Sequence, residues 1–223
     1  MKSMYEMIMD LPLFKGVSKD QVSLFLEKTH IGFHNYNIGD TLADIGEPVN
    51  MVKFVISGEI SLIHPLKGVD ITLEEKTGFG KVLGADRLFG MATGYPYKAV
   101  AKTKTSIMEF SKAQYLNLLN SDRIYILNFF NYLSLRAQRP VDATVKYCHG
   151  DIQNKMRLLV SVMTEPAADE IVIRGEDDAL ADYCNCDEAI VREWKNMLVR
   201  EHLALCDSSC VRIRHRAEFI DRE

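Results

Sequence analysis

Apolar residues keep three different spacings along this chain, and each spacing predicts a different kind of element. After Asp10-Leu11-Pro12-Leu13-Phe14, Ser18 stands where a helix N-cap belongs and Gln21, three residues on, completes a capping box. The helix predicted there carries Val22, Leu24, Phe25 and Leu26 and ends near Thr29. From Gly32 to Phe110 short apolar runs are broken by glycine. After Gly32 itself, nine more of the 13 glycines (Gly39, Gly46, Gly58, Gly68, Gly78, Gly80, Gly84, Gly90 and Gly94) fall in this stretch, which calls for tight turns rather than helices. Met51 to Ile56, then Ser57-Gly58-Glu59, then Ile60 to Ile63 reads as strand, turn, strand, and small antiparallel sheets rolled into a barrel fit the region.

Beyond Lys112 the spacing becomes helical. Ser121 or Asp122 caps a helix in which Ile126, Phe130, Leu133 and Ala137 recur at steps of four and three. Run to His149, this helix is roughly 40 Å long at 1.5 Å per residue, too long for a small barrel to cover, so a second copy of the chain is the expected partner of its apolar stripe. Pro140 inside it predicts a kink or the start of a second segment. Gly150 ends the helix and Asp151 caps the next, which carries Met156, Leu159, Val160 and Met163; a domain hinge is expected at this break.

Pro166 closes that helix, and Ile171 to Arg174 predicts a short strand. From Asp177 or Asp178 to Leu198 the chain has the pattern of two short helices meeting at a tight turn. Ala181 is small where the helices cross, Asn185 suits a left-handed turn residue, and Asp187 caps the second helix. Ile190, Val191, Trp194, Met197 and Leu198 are its expected buried face. Leu203 to Cys206 and Cys210 to Arg214, joined by Asp207-Ser208-Ser209, predict a hairpin placed like the wing of a winged helix.

Composition narrows the setting without changing this outline. The 47% apolar content is that of an ordinary globular protein, no apolar run approaches the roughly 20 residues a membrane span needs, and Met1-Lys2-Ser3-Met4-Tyr5-Glu6 lacks a signal-peptide pattern, so a cytoplasmic protein is expected. The five cysteines, Cys148, Cys184, Cys186, Cys206 and Cys210, are odd in number and make no disulfide framework. Charge is uneven: residues 150–223 hold ten Lys and Arg against sixteen Asp and Glu, an acidic balance that weighs against nucleic-acid binding.

The order of these parts resembles the Crp/Fnr family of bacterial transcription regulators. Leu11-Pro12-Leu13-Phe14 is similar to the family's opening, Val55-Ile56-Ser57-Gly58-Glu59-Ile60 to its central roll hairpin, and residues 179–204 to its helix-turn-helix. The resemblance implies an α+β fold: a double-stranded, jelly-roll-like β-roll sensor over 1–120, a long dimerisation helix over 121–149, and a C-terminal winged helix-turn-helix that binds DNA over 150–223. It implies a homodimer whose partners are DNA, a small-molecule effector and RNA polymerase, and no membrane.

At the family's cyclic-nucleotide cassette, a glutamate that holds the ribose follows a glycine, and an arginine eleven residues after the glycine neutralises the phosphate. Here Gly84 keeps the glycine, Ala85 replaces the glutamate, and Tyr95 and Pro96 replace the arginine and its serine. Losing a charge-assisted pair to a buried phosphate forfeits on the order of 1.5–3 kcal/mol, so cyclic AMP is not the expected effector. Arg87 and Lys98, with Tyr97, remain effector-binding candidates beside Gly84, Ala85 and Tyr95, although the stronger reading of Arg87 and Lys98 is as solvated surface cations on a loop. With no cysteine before Cys148, the iron-sulfur chemistry of Fnr-like relatives is excluded. Cys184-Asn185-Cys186 with Cys206 and Cys210 allows a four-thiolate site in principle, but turn and hairpin packing predict buried or idle thiols. His30, His34, His64, His149, His202 and His215 show no ligand-like spacing and leave haem open. No metal site is expected.

The family's recognition helix commonly opens Ser-Arg-Glu-Thr-Val-x-Arg, the arginines and glutamate reading base edges. The same places here read Asp187-Glu188-Ala189-Ile190-Val191-Arg192-Glu193, with glutamate for both arginines and alanine for the glutamate. Asp187, Glu188, Arg192, Glu193, Lys195 and Arg200 on this helix, and Arg212, Arg214 and Arg216 on the wing and its exit, are the DNA-contact candidates; alternating arginines on an edge strand also serve solubility. Two functions stay open, a DNA-binding regulator and a protein-interaction module whose DNA affinity has decayed. No nucleophile and base stand at motif spacing, so an enzyme is not expected.

Overall fold

The computed structural model describes residues 4–29, 31–168 and 170–221; Met1, Lys2, Ser3, His30, Asp169, Arg222 and Glu223 lie outside the described residues. In chain order the elements are α1 (Met4–Met9), a 3-10 turn (Pro12–Phe14), α2 (Lys19–Lys28), β1 (Gly32–Tyr36), β2 (Thr41–Ala43), β3 (Met51–Ser57), β4 (Ile60–Pro65), β5 (Thr72–Thr77), β6 (Val82–Leu83), β7 (Lys98–Ala101) and β8 (Thr105–Ser111). They continue with α3 (Lys112–Ser121), α4 (Arg123–Tyr147), α5 (Ile152–Met163), β9 (Ile171–Arg174), α6 (Asp177–Cys184), α7 (Glu188–Arg200), β10 (Ala204–Cys206), β11 (Cys210–Ile213) and α8 (Arg216–Asp221). The chain is α+β, and it parts into two compact units, one of Met1–Ile60 and Gly78–Arg136, the other of Ser61–Thr77 and Ala137–Glu223. These units do not follow the expected divisions at 120 and 149.

In the first unit β1, β8, β3 and β6 form one antiparallel sheet, with Phe54 opposite Met108 and Val52 opposite Phe110. The core is aromatic: Phe54 meets Phe110 edge-on at 5.6 Å and Phe14 meets Tyr125 at 5.7 Å. Such pairs add about 0.5–1.5 kcal/mol beyond the area they bury. Ser18 and Gln21 make the expected capping box at α2, and Ser111 with Gln114 makes a second one at α3. The expected hairpin across Ser57-Gly58-Glu59 is corrected. β3 pairs with β8 and β6, while β4 belongs to another sheet. Gly58 turns the chain between them at φ +87°, where an added Cβ would lie 2.6 Å from the Lys104 carbonyl oxygen.

The second unit is built on a sheet in the order β10-β11-β9-β5-β4. Leu73 of β5 stands opposite Ile173 of β9, and Val211 of β11 stands opposite it on the other side. Their side chains share a core with Tyr147, Met156, Val160, Leu180, Val191, Trp194, Leu198 and Phe219. Residues 61–77, expected to belong to the roll, are thus a structural part of the sheet that carries the helix-turn-helix. Buried Glu75 fastens them: its carboxylate accepts from the Glu165 backbone N–H at 2.7 Å and lies 3.7 Å from His64 Nε2.

The long helix α4 runs unbroken for 25 residues with Pro140 inside it, and Asp122 Oδ1 accepts from the Ile124 N–H at its start. Asp151 caps α5 as expected, accepting from Asn154 N.

Candidate functional site

α6 ends at Asn185, whose φ of 49° and ψ of 58° are left-handed, and the chain reverses there: Asn185 N–H donates to Asp182 O and Cys186 N–H to Ala181 O. Asp187 takes the N-cap position of α7 but its side chain makes no capping bond. Val191, Trp194, Lys195 and Leu198 form the buried face of α7. Ile190, expected among them, is 44% exposed. Its place on the helix, one residue before Val191, turns it about 100° away from the core.

Lys195 is only 6% exposed. Its ammonium donates to Asp177 Oδ1 at 2.7 Å, Asp207 O at 2.9 Å and Ser208 O at 2.8 Å, which uses all three of its N–H bonds. The DNA contact expected of Lys195 is therefore corrected: this side chain ties α7 to the start of α6 and to the turn of the wing. Arg192 Nε donates to Asp177 Oδ2 at 3.2 Å and its other nitrogen pairs with Glu188. Arg192 and Glu188 stay on the surface but largely answer each other. Glu193, Asn196 and Arg200 are also exposed, and neither Glu193 nor Arg200 has an ion pair among the described residues.

On the wing β10 and β11 form the expected hairpin, with Cys206 opposite Val211. Val211 and Ile213 are buried and Arg212 alternates outward, its guanidinium 2.6 Å from Glu170 Oε1; Arg214 is exposed. Arg216 does not continue this row. It is buried, donates from Nε to Thr164 Oγ1 at 2.8 Å, and burial followed by the nearby Arg139 charge lowers its pKa. Its expected phosphate contact is corrected to a structural one.

In the first unit Gly84 adopts φ +83°, and a Cβ there would lie 2.6 Å from Val49 and 3.1 Å from the Tyr95 hydroxyl. Only glycine fits. Ala85 is 2% exposed, in a lining shared with Leu13, Phe54, Val82, Phe129, Asn128 and Tyr132. Tyr95 and Tyr97 are buried against each other at 5.8 Å, and burial pushes both phenols well above the ordinary tyrosine range. Lys98 Nζ lies 3.9 Å from Asp44, and Arg87 Nε 3.9 Å from Asp86. Arg136 of α4, which sequence reasoning did not single out, holds Asp86 at 3.1 Å. The six effector candidates thus divide into a buried set (Gly84, Ala85, Tyr95, Tyr97) and two surface cations.

Along α4, Ile126 and Leu133 of the expected dimer stripe are half-buried, whereas Phe130 is 56% exposed and Ala137 is exposed. Leu127, Val141 and Val145 are exposed too, Val145 at 79%. With Phe130 and Ala137 they stand at intervals of three, seven, four and four, each close to whole turns of the helix.

No family model and no curated protein matches the chain. Solved structures do. Over 94% of this chain and 98% of the other, it is similar to the catabolite activator protein of Thermus thermophilus, at 20% identity and a TM-score of 0.52. Over 88% and 99% it is similar to the c-di-GMP responsive global regulator CLP of Xanthomonas campestris, at 20% identity and a TM-score of 0.54. The chain has the Crp/Fnr regulator fold.

Within this fold α6 and α7 are arranged as a helix-turn-helix, with α7 as its second helix. The cysteines do not gather. Cys184 is buried with its sulfur 3.7 Å from Met156 Sδ, and burial raises its thiol pKa to about 11. Cys206 is raised to about 11 by the same cause. Among the described residues no three His, Cys, Asp or Glu side chains stand close enough to hold a metal ion, and no helix is long and apolar enough to cross a membrane.

Proposed function

We propose that this protein is a dimeric, cytoplasmic DNA-binding transcription regulator of the Crp/Fnr type, which senses a small ligand without the family's cyclic-AMP contacts. The observation that carries the reading is the solvent side of α7, where Glu193, Asn196 and Arg200 stand exposed on the second helix of a helix-turn-helix. Asparagine can pair with adenine edges and glutamate can accept from the cytosine amino group, while Arg200, Arg212 and Arg214 suit phosphates. Dimerisation is supported by the exposed apolar row on α4. Replacing Phe130 by aspartate is expected to give monomers in light scattering, and an unchanged dimer mass would remove Phe130 from the seam.

A second reading is favoured by one observation. The basic side chains of α7 are largely consumed within the protein, Lys195 by burial and Arg192 by Asp177 and Glu188. A protein-interaction module needs none of them. Salt titration of binding to a DNA pool separates the two: a log-log slope of several units marks phosphate contacts, and binding that is absent at low salt favours the module.

A further inference from the structure

On α7 the guanidinium of Arg192 is exposed but held. Its Nε donates to Asp177 Oδ2 at 3.2 Å, and its Nη2 pairs with Glu188, one turn earlier on the same helix. Asp177 is itself fixed: its other oxygen accepts from the buried Lys195 ammonium at 2.7 Å, and that ammonium also donates to Asp207 O and Ser208 O. The wing turn, α6 and α7 together keep one arginine between two carboxylates.

A helical side chain leans toward the N-terminus, and Arg192 is drawn to Glu188, so its guanidinium lies over the first turn of α7. In helix-turn-helix docking that end of the second helix meets the base edges. Of the five guanidinium N–H bonds, those on Nε and one on Nη2 are spent; both on Nη1 and the other on Nη2 have no partner among the described residues. The side chain is 59% exposed, which leaves these donors open to a ligand. A planar pair of donors of this kind matches O6 and N7 of guanine.

Charge decides between a base and a phosphate. Arg192 and Lys195 stand against Asp177 and Glu188, two positive side chains and two negative, so the cluster has no net charge to draw a phosphate. The carboxylates repel phosphate oxygens and leave the directional donors intact. On the reading of α7 as a DNA-binding helix, we infer that Arg192 reads a guanine in the major groove through its Nη nitrogens, and that Asp177 and Glu188 are positioning residues that hold its plane for that contact. Glu188 stands where the recognition helix of the family that the sequence resembles has an arginine, and here it brings the arginine of the next turn to the same end of the helix.

The test uses the full chain and a site selected from a random DNA pool, with each guanine replaced in turn by 7-deazaguanine, which keeps base pairing but lacks N7. For the guanine that Arg192 contacts, the replacement should weaken the parent by at least about fivefold and Arg192→Ala by less than about twofold, since the donors are already gone. Arg192→Lys keeps the charge without the planar donor pair; it should lose the same discrimination and hold non-specific DNA as the parent does. Glu188→Gln releases the guanidinium, so selectivity for that guanine should fall by about threefold or more while non-specific affinity rises, a split that a merely structural role does not give. In Arg192→Ala the slope of log affinity on log salt should stay within about half a unit of the parent's. The inference is overturned if Arg192→Ala removes no 7-deazaguanine effect, if it weakens every sequence alike with a slope lower by about one unit, or if Arg192→Lys or Glu188→Gln discriminates as the parent does. In each of these cases a sequence has been selected and DNA reading by α7 stands; a pool from which no sequence is enriched overturns both.

Discussion

At the roll's glycine turn, Gly84 is followed by Ala85 and closely approached by Tyr95, and all of that surface is buried; at the start of α7, Glu188 and Glu193 stand in solvent. Both places match positions where the Crp/Fnr regulators that the sequence resembles carry charged contacts, and in both this chain has other residues. The replacements differ in kind. In the roll, an alanine and two tyrosines close the space by packing, and burial keeps the phenols neutral, so these three residues supply no charge to a phosphate. On α7, polarity is kept and its sign is changed, so the surface can still hydrogen-bond to bases. The first place is closed by packing, whereas the second stays polar and open to solvent.

The largest effect that can break this comparison is at Lys195. Replaced by methionine, it should cost about 3–5 kcal/mol, because Asp177 and two carbonyls lose a buried partner. Urea unfolding followed by the fluorescence of Trp194, the single tryptophan, reads this directly. Unchanged stability with lost DNA affinity would return Lys195 to the DNA surface. Next, Ala85→Glu should lower the stability of the first unit by about 3 kcal/mol, since the new carboxylate enters a closely packed, largely aromatic and aliphatic lining with no cation in it. A variant melting like the parent by circular dichroism would show that residue 85 faces open space.

Smaller in energy is the expected absence of cyclic-nucleotide binding. Calorimetric titration with cyclic AMP or cyclic GMP should give no saturable heat below about 10 μM. A clear isotherm there would mean that Arg87, Lys98 or Arg136 has taken over phosphate neutralisation and that the roll has kept the family's site.

What was legible in the sequence was local. Asn185 could be read because a helix-turn-helix needs one left-handed residue, and Ser18 with Gln21 because a capping box spans four residues. Ser111 and Gln114 offered the same signal and went unread. The inward turn of Lys195 was also present in the spacing: with Val191, Trp194 and Leu198 it occupies positions i, i+3, i+4 and i+7 of one face. Its charge argued outward, and only the three acceptors assembled from α6 and the wing turn make burial tolerable. The pairing of Thr72 with Arg174 joins residues a hundred positions apart, which no local pattern encodes.

The central claim is that α7 reads DNA with a repolarised face, and selection of bound sequences from a random pool tests it most directly. The wild type is expected to enrich a two-fold symmetric site whose half-sites lie about one helical turn apart, each with a cytosine that Glu193 reads. On that site Glu193→Gln should weaken binding by roughly 1–3 kcal/mol and relax choice at the cytosine, because the carboxylate acceptor is lost. Enrichment of no sequence, or a Glu193→Gln protein that binds every sequence more tightly with unchanged preference, would contradict the account and leave Glu193 as a tolerated charge.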